Sequence, residues 1–244
     1  MIYFIADLHL SADRPDITAC FLSFLKNDAP QATQLYILGD LFEYWVGDDD
    51  DSVFVNTIAT TLKQLADNGT KLFFIHGNRD FLLGKKYAKK AGLILLPETH
   101  LIDLFGQKAL IMHGDTLCTR DVDYQKFRKK SRSWWWQFII KSLPLKTRKK
   151  IAANYRKKST QAKQIKSLEI MDVTQSEVKK QLTNTQSLLL IHGHTHRPNE
   201  HHFYLNNDVN APQATRIVLG DWYEQGAWLK VTADKIELLN KHFE

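Results

Sequence analysis

Met1-Ile-Tyr-Phe-Ile-Ala-Asp7-Leu-His9 sets the reading of the whole chain. Ile2–Ala6 is apolar at every position and stops on an acid and a histidine. A short, uniformly apolar run suits a strand buried on both faces. It does not suit a secretory leader, because no basic segment precedes it and Asp7 interrupts it. The same run-then-polar pattern recurs four times. Leu35–Leu38 leads into Gly39-Asp40, and Lys71–Ile75 into Gly77-Asn78-Arg79-Asp80. Lys108–Met112 leads into His113-Gly114-Asp115, and Leu188–Ile191 into Gly193-His194-Thr195-His196. Helical spacing fills Ile17–Leu25, Val53–Leu65 (with Ser52 as its cap) and Lys85–Ala91. The alternation predicts an α/β fold in which the five polar clusters gather outside the carboxyl ends of neighbouring strands. His202–Leu205, Arg216–Leu219, Ala227–Thr232 and Lys235–Leu239 are predicted as strands, read as antiparallel additions to the sheets.

The chain has 244 residues, 43% of them apolar and 25% charged, so a disordered or fibrous protein is excluded. Its two cysteines, Cys20 and Cys118, make no CxxC pair, which excludes a disulfide scaffold and a thiolate zinc site and suits a reducing compartment. The longest strongly apolar stretch, Trp134–Ile140, is far short of the roughly 20 residues of a spanning helix. The net charge of +6 is divided very unevenly. Residues 120–166 hold 16 Lys/Arg and only two acids, Asp121 and Asp123, whereas the remainder is acidic overall. Residues 120–185 lack strand signals and are read as an inserted, basic helical cap on a core made of 1–119 and 186–244. Such a surface fits a polyanion or an anionic lipid.

The five clusters hold Asp, His and Asn and no thiolate. That donor set suits Mn²⁺, Fe or Zn²⁺ better than Ca²⁺. One-residue spacing in Asp7-Leu-His9 and His194-Thr-His196 would turn both side chains to one site on extended backbone. Asp48–Asp51 is read as a solvated turn, not a metal site. His76 and His192 are read as packed residues or as supports behind the ligands, and Cys20 and Cys118 as packing residues.

In the order Asp-x-His, Gly-Asp, Gly-Asn-x-Asp, His and Gly-His-x-His, the chain resembles the calcineurin-like metallophosphoesterases. The resemblance implies two packed mixed β-sheets flanked by helices, and two divalent metal ions, Mn²⁺ by preference. Carried over motif by motif, Asp7, His9, Asp40 and His196 would hold one ion. Asp40, Asn78, His113 and His194 would hold the other, with Asp40 bridging. A hydroxide activated by both metals would attack phosphorus in line. Asn78, Arg79 and His194 would be the catalytic groups.

Most relatives have histidine where this chain has Arg79. A guanidinium stays protonated, so it cannot act as the acid that frees a poor leaving group. It can clamp phosphate oxygens. That favours a leaving group needing little protonation, such as a phosphate monoester, whose second pKa is about 6. Arg79 therefore points to cleavage of a pyrophosphate. Gly39-Asp-Leu-Phe-Glu-Tyr-Trp45, Gly77-Asn-Arg-Asp-Phe81, Gly193-His-Thr-His-Arg-Pro198 and Leu219-Gly-Asp-Trp-Tyr223 are similar to the UDP-2,3-diacylglucosamine pyrophosphatase family of lipid A biosynthesis. That resemblance implies release of UMP and 2,3-diacylglucosamine 1-phosphate at the cytoplasmic face of the bacterial inner membrane, with no protein partner. It also implies substrate contacts from Asn78, Arg79, Asp121, Ser159, Lys163, Lys166 and His194.

In the cap, Trp134-Trp-Trp136, Phe138, Ile139, Ile140 and Leu143 cluster between Arg128-Lys-Lys130 and Arg148-Lys-Lys150. Aromatics flanked by cations suit an anionic membrane interface, or they pack the cap onto the core. Two other functions compete. A metal-dependent nuclease or nucleotide phosphodiesterase would use the basic cap for nucleic acid, but there aromatics should interleave with the cations, and here they are bunched. A non-enzymatic interaction scaffold would have lost ligands, and all seven positions are filled.

Overall fold

The computed structural model describes residues 1–165, 170–206 and 212–243. Eleven strands lie among them: β1 Ile2–Ile5, β2 Gln34–Ile37, β3 Lys71–Phe74, β4 Leu93–Leu95, β5 Thr99–Leu104 and β6 Gln107–Met112, then β7 Leu189–His192, β8 Asn199–Tyr204, β9 Gln213–Val218, β10 Gln225–Val231 and β11 Ile236–His242. Seven α-helices join them: α1 Pro15–Asn27, α2 Val53–Asp67, α3 Lys85–Ala91, α4 Val122–Ser131, α5 Trp134–Ser142, α6 Leu145–Ile165 and α7 Gln175–Thr185.

Six strands form one sheet in the order β11-β10-β1-β2-β3-β4, and five form another in the order β5-β6-β7-β9-β8. Both are mixed. Strand pleating explains the unbroken apolar runs. In β1, Tyr3 and Ile5 face a core shared with α1, α2 and α3. Ile2 and Phe4, with Ala6 beyond the strand, face the second core between the sheets, against Ile111, Ile191 and Ile217. Ser52 caps α2, accepting from the Val55 amide as its sequence position predicts.

The predicted strands are all present, with two additions. β4 has three residues, and β5 alternates between exposed and half-buried positions along an edge, so neither leaves a clear apolar run. The C-terminal strands are not uniformly antiparallel: β9 runs parallel to β7. Helices are the only regular elements in the described part of 120–185. Within it, α7 packs as core, since Val178 and Leu182 are fully buried against Leu110, Met112 and Leu190. No described helix is long and apolar enough to cross a membrane.

Register brings the polar clusters to one edge. Ile5, Ile37 and Phe74 are level across β1, β2 and β3, and Met112 is level with His192. The amide of Asp7 then donates to Gly39 at 3.1 Å, and that of Gly193 to His113 at 2.9 Å.

Candidate active site

The seven residues predicted as ligands converge at this edge. Among the described residues, seven non-glycines have positive φ, and five of them are Asp7, His9, Asp40, His194 and His196, at 51–70°. The backbone is therefore left-handed at these positions, not extended as the spacing suggested. Left-handed residues cost roughly 1–3 kcal/mol each and persist where packing holds them. Gly77 allows the closest approach: a Cβ there would stand 2.1 Å from Oδ1 of Asp40.

Two sets of donor atoms form. Asp7, His9 and His196 offer ligand atoms that all lie close together, as do Asp7, Asp40 and His113. Nε2 of His9 faces Nε2 of His196 at 3.4 Å. Nε2 of His113 and Nδ1 of His194 both approach Oδ1 of Asn78, at 3.0 and 2.8 Å, and each other at 3.2 Å. Two of the outward nitrogens are engaged elsewhere. Nδ1 of His113 donates to Leu38 at 2.8 Å, and Nδ1 of His196 stands 3.0 Å from Asp221. With those nitrogens protonated, Nε2 presents a lone pair inward. Acceptors then face acceptors, and Oδ1 of Asp7 is buried with no hydrogen-bond partner. This arrangement fits divalent cations, which would satisfy oxygen and imidazole donors together.

A proton competes for the same inward lone pair. Burial opposes charge on His196, yet Asp7 and Asp221 outweigh it and push its pKa up to about 9. Burial likewise opposes the Asp7 carboxylate, but His196 and the neighbouring imidazoles hold it well below the usual range. A pocket that draws protons onto imidazole in this way also draws cations.

Asp80, two residues after Asn78, is fully buried and braces the loops: it accepts from the amides of Leu41 and Gly77, both at 2.8 Å. Burial and the Asp40 charge raise its pKa to about 7. His192 and His76 are packed, as read. His192 is fully buried beside Arg216, and burial lowers its pKa to about 3.

This edge opens into a cavity of about 630 Å³. Asn78, Arg79, Asp121, Ser159 and His194 line it, together with Phe127, Trp136, Ile140, Ile151 and Tyr155 of the cap. The side chain of Lys163 and all of Lys166 lie outside the described residues. Asp121 also caps α4, accepting from the Tyr124 amide at 3.1 Å.

Sequence reasoning missed the groups that seat the cap. Asp115, 1% exposed, accepts from the Tyr124 hydroxyl at 2.5 Å and from Nε of Arg128 at 2.7 Å. The acidic run is a turn with Asp49 and Asp51 exposed, as read, but three of its acids also make specific contacts. Asp48 takes amides at the start of α3, including Gly84 at 2.8 Å, Asp49 pairs with the buried Arg148 of α6, and Asp50 pairs with Lys149 at 2.7 Å. The signal was the charge opposition itself: four acids in the core and a basic cap.

A paired-carboxylate and imidazole centre at the carboxyl edge of two mixed sheets defines a metal-dependent phosphoesterase, and the chain belongs to the calcineurin-like phosphoesterase family, whose model matches residues 1–198. Over nearly its full length it is similar to proteins named UDP-2,3-diacylglucosamine hydrolase. It is 53% identical over 240 residues to that of Vibrio parahaemolyticus and 50% identical over 240 residues to that of Escherichia coli O7:K1, covering 98% of both chains in each case. A solved archaeal phosphodiesterase aligns over 98% of both chains at 13% identity with a TM-score of 0.48.

Proposed function

We propose that this chain hydrolyses the pyrophosphate bond of UDP-2,3-diacylglucosamine, releasing UMP and 2,3-diacylglucosamine 1-phosphate for lipid A biosynthesis. The observation that carries this reading is the shared cavity: one chamber joins a phosphate-binding metal edge to an apolar cap interior. Acyl chains need the second and a diphosphate needs the first.

Two divalent ions, Mn²⁺ by preference, would be held by Asp7, His9, Asp40 and His196 and by Asp40, Asn78, His113 and His194. When bound, they supply a nucleophile from water at neutral pH and offset phosphoryl charge. Arg79 clamps the phosphate. Among the described residues its Nε is buried with no hydrogen-bond partner and Asp80 is committed to two amides, which supports a guanidinium available to the ligand. Asn78 and His194 orient the same phosphate beside the metals. Water adds to phosphorus, its protons pass to solvent, the bridging P–O bond breaks, and the leaving oxygen departs as a phosphate monoester. That leaving group needs no proton from Arg79. Asp121, Ser159, Lys163 and Lys166 serve the sugar headgroup, and Trp136, Ile140 and Ile151 the acyl chains.

In this reading α4–α6 form the cap and α7 belongs to the core. The cap also docks the protein peripherally on the cytoplasmic face of the inner membrane. α5 has no buried residue, and Trp134 and Phe138 are 81% and 71% exposed beside Lys141 and the basic end of α4. An apolar ridge rimmed by cations suits anionic lipid.

The test is product identification after incubation with UDP-2,3-diacylglucosamine, detergent and Mn²⁺. UMP is expected, and EDTA should abolish it. Release of no uridine nucleotide overturns the substrate assignment. Binding of single-stranded DNA that weakens steeply with salt would then favour a nuclease.

A further inference from the structure

Glu43 stands where the metal edge meets the cap. It is 15% exposed, and its two oxygens face opposite ways. Oε2 lies 3.3 Å from Nδ1 of His9, and Oε1 pairs with Nε of Arg156 on α6. His9 is 3% exposed, and its ring stacks on Tyr223, with centroids 5.2 Å apart and planes 4° apart. Nδ1 of His9 is a buried atom with no formed hydrogen bond, so Glu43 is within reach but misaligned.

A carboxylate facing the outer nitrogen of a ligating imidazole does two things. It selects the tautomer that leaves the other nitrogen free, and it makes that nitrogen a stronger donor. His113 and His196 meet this need with Leu38 and Asp221, both from the core. His9 alone faces a carboxylate whose other oxygen is bound to the cap.

We propose that Glu43 is a positioning residue for His9, and that Arg156 couples its placement to the seating of α6. It rests on the metal centre of the proposed function. With α6 seated, Arg156 holds Glu43 against Nδ1 and turns Nε2 of His9 toward the ion. Without Arg156, Glu43 keeps an uncompensated charge in a half-enclosed site and loses its fixed orientation. The cap then influences metal affinity as well as lipid binding.

The test is Mn²⁺ binding to EDTA-stripped protein, followed by calorimetry, beside circular dichroism to confirm folding. Glu43→Ala should weaken one of the two Mn²⁺ sites by about 10- to 100-fold and spare the other. Glu43→Gln should restore most of that loss, because the amide oxygen still accepts from Nδ1. Arg156→Met should weaken the same site by a smaller factor. Wild-type affinity in Glu43→Ala overturns the positioning role. Wild-type affinity in Arg156→Met, with Glu43→Ala weakened, overturns the coupling to the cap. Failure of the unaltered protein to bind Mn²⁺ overturns the metal centre itself, a different result from either.

Discussion

The backbone amide of Arg79 donates to Oδ1 of Asp40 at 2.8 Å, while its side chain lines the cavity. Backbone and side chain therefore serve different ends. Arg79→Ala keeps the amide, so metal binding should be unchanged, but it removes the proposed phosphate clamp. Turnover should fall by about 10²-fold or more, with Arg79→Lys in between. Metal content by mass spectrometry and turnover on the same sample check this. A near-wild-type rate would remove the clamp from the mechanism.

Asp49 and Arg148 lie 99 residues apart and join core to cap. Arg148 is 4% exposed and also donates to the carbonyls of Val46 at 2.6 Å and Leu143 at 2.9 Å. The two partners are unequal, because Asp49 is largely exposed. Asp49→Ala leaves a buried cation short of its counter-charge, and should destabilise by about 1–3 kcal/mol. Arg148→Lys cannot reproduce the forked geometry and should also weaken cap seating. Urea unfolding gives the first value, and protease sensitivity of α6 reads the second.

The two faces of α5 should separate by assay. Trp134→Ser with Phe138→Ser should reduce sedimentation with anionic liposomes by several-fold and leave turnover on detergent-dispersed substrate close to normal. Trp136→Ala should do the reverse, since Trp136 lines the cavity and lies 6.1 Å from the Phe81 ring. Unchanged liposome binding in the double variant would assign those residues to another role.

Cys118 gives a pH prediction. Burial, reinforced by Asp115, pushes its thiol up to about 12. Only the thiolate is alkylated, so at pH 8 about one molecule in 10⁴ is reactive. Labelling of Cys118 in the folded protein should be very slow and rise about tenfold per pH unit toward 12. In urea it should become fast at pH 8. Peptide mapping after iodoacetamide treatment reads both, and fast native labelling would contradict the buried environment.

Much of the core was legible because its signals are local. An apolar run ending in Asp7 or Gly39-Asp40 announces a strand and its active end without reference to any partner. β4 and β5 were not legible, because a three-residue strand and an edge strand need too little apolar sequence to stand out. The contacts of Asp48, Asp49 and Asp50 were missed for a related reason. Whether a carboxylate is solvated or paired depends on what the fold lays over it, and here that is Gly84, Arg148 and Lys149.

By itself, the sequence determined the inventory of candidate ligands, the order along the chain of the strands that carry them, and the helical character of the basic segment. These follow from residue type and periodicity along one stretch of chain. Only the tertiary structure decided the left-handed backbone at Asp7, His9, Asp40, His194 and His196, the inward turn of Trp136 against the outward turn of Trp134, and the link from Arg156 through Glu43 to His9. The physical reason is the same in each case. Strain is tolerated, apolar surface is hidden and charges are paired only when packing brings distant segments together, and burial sets what each contact is worth.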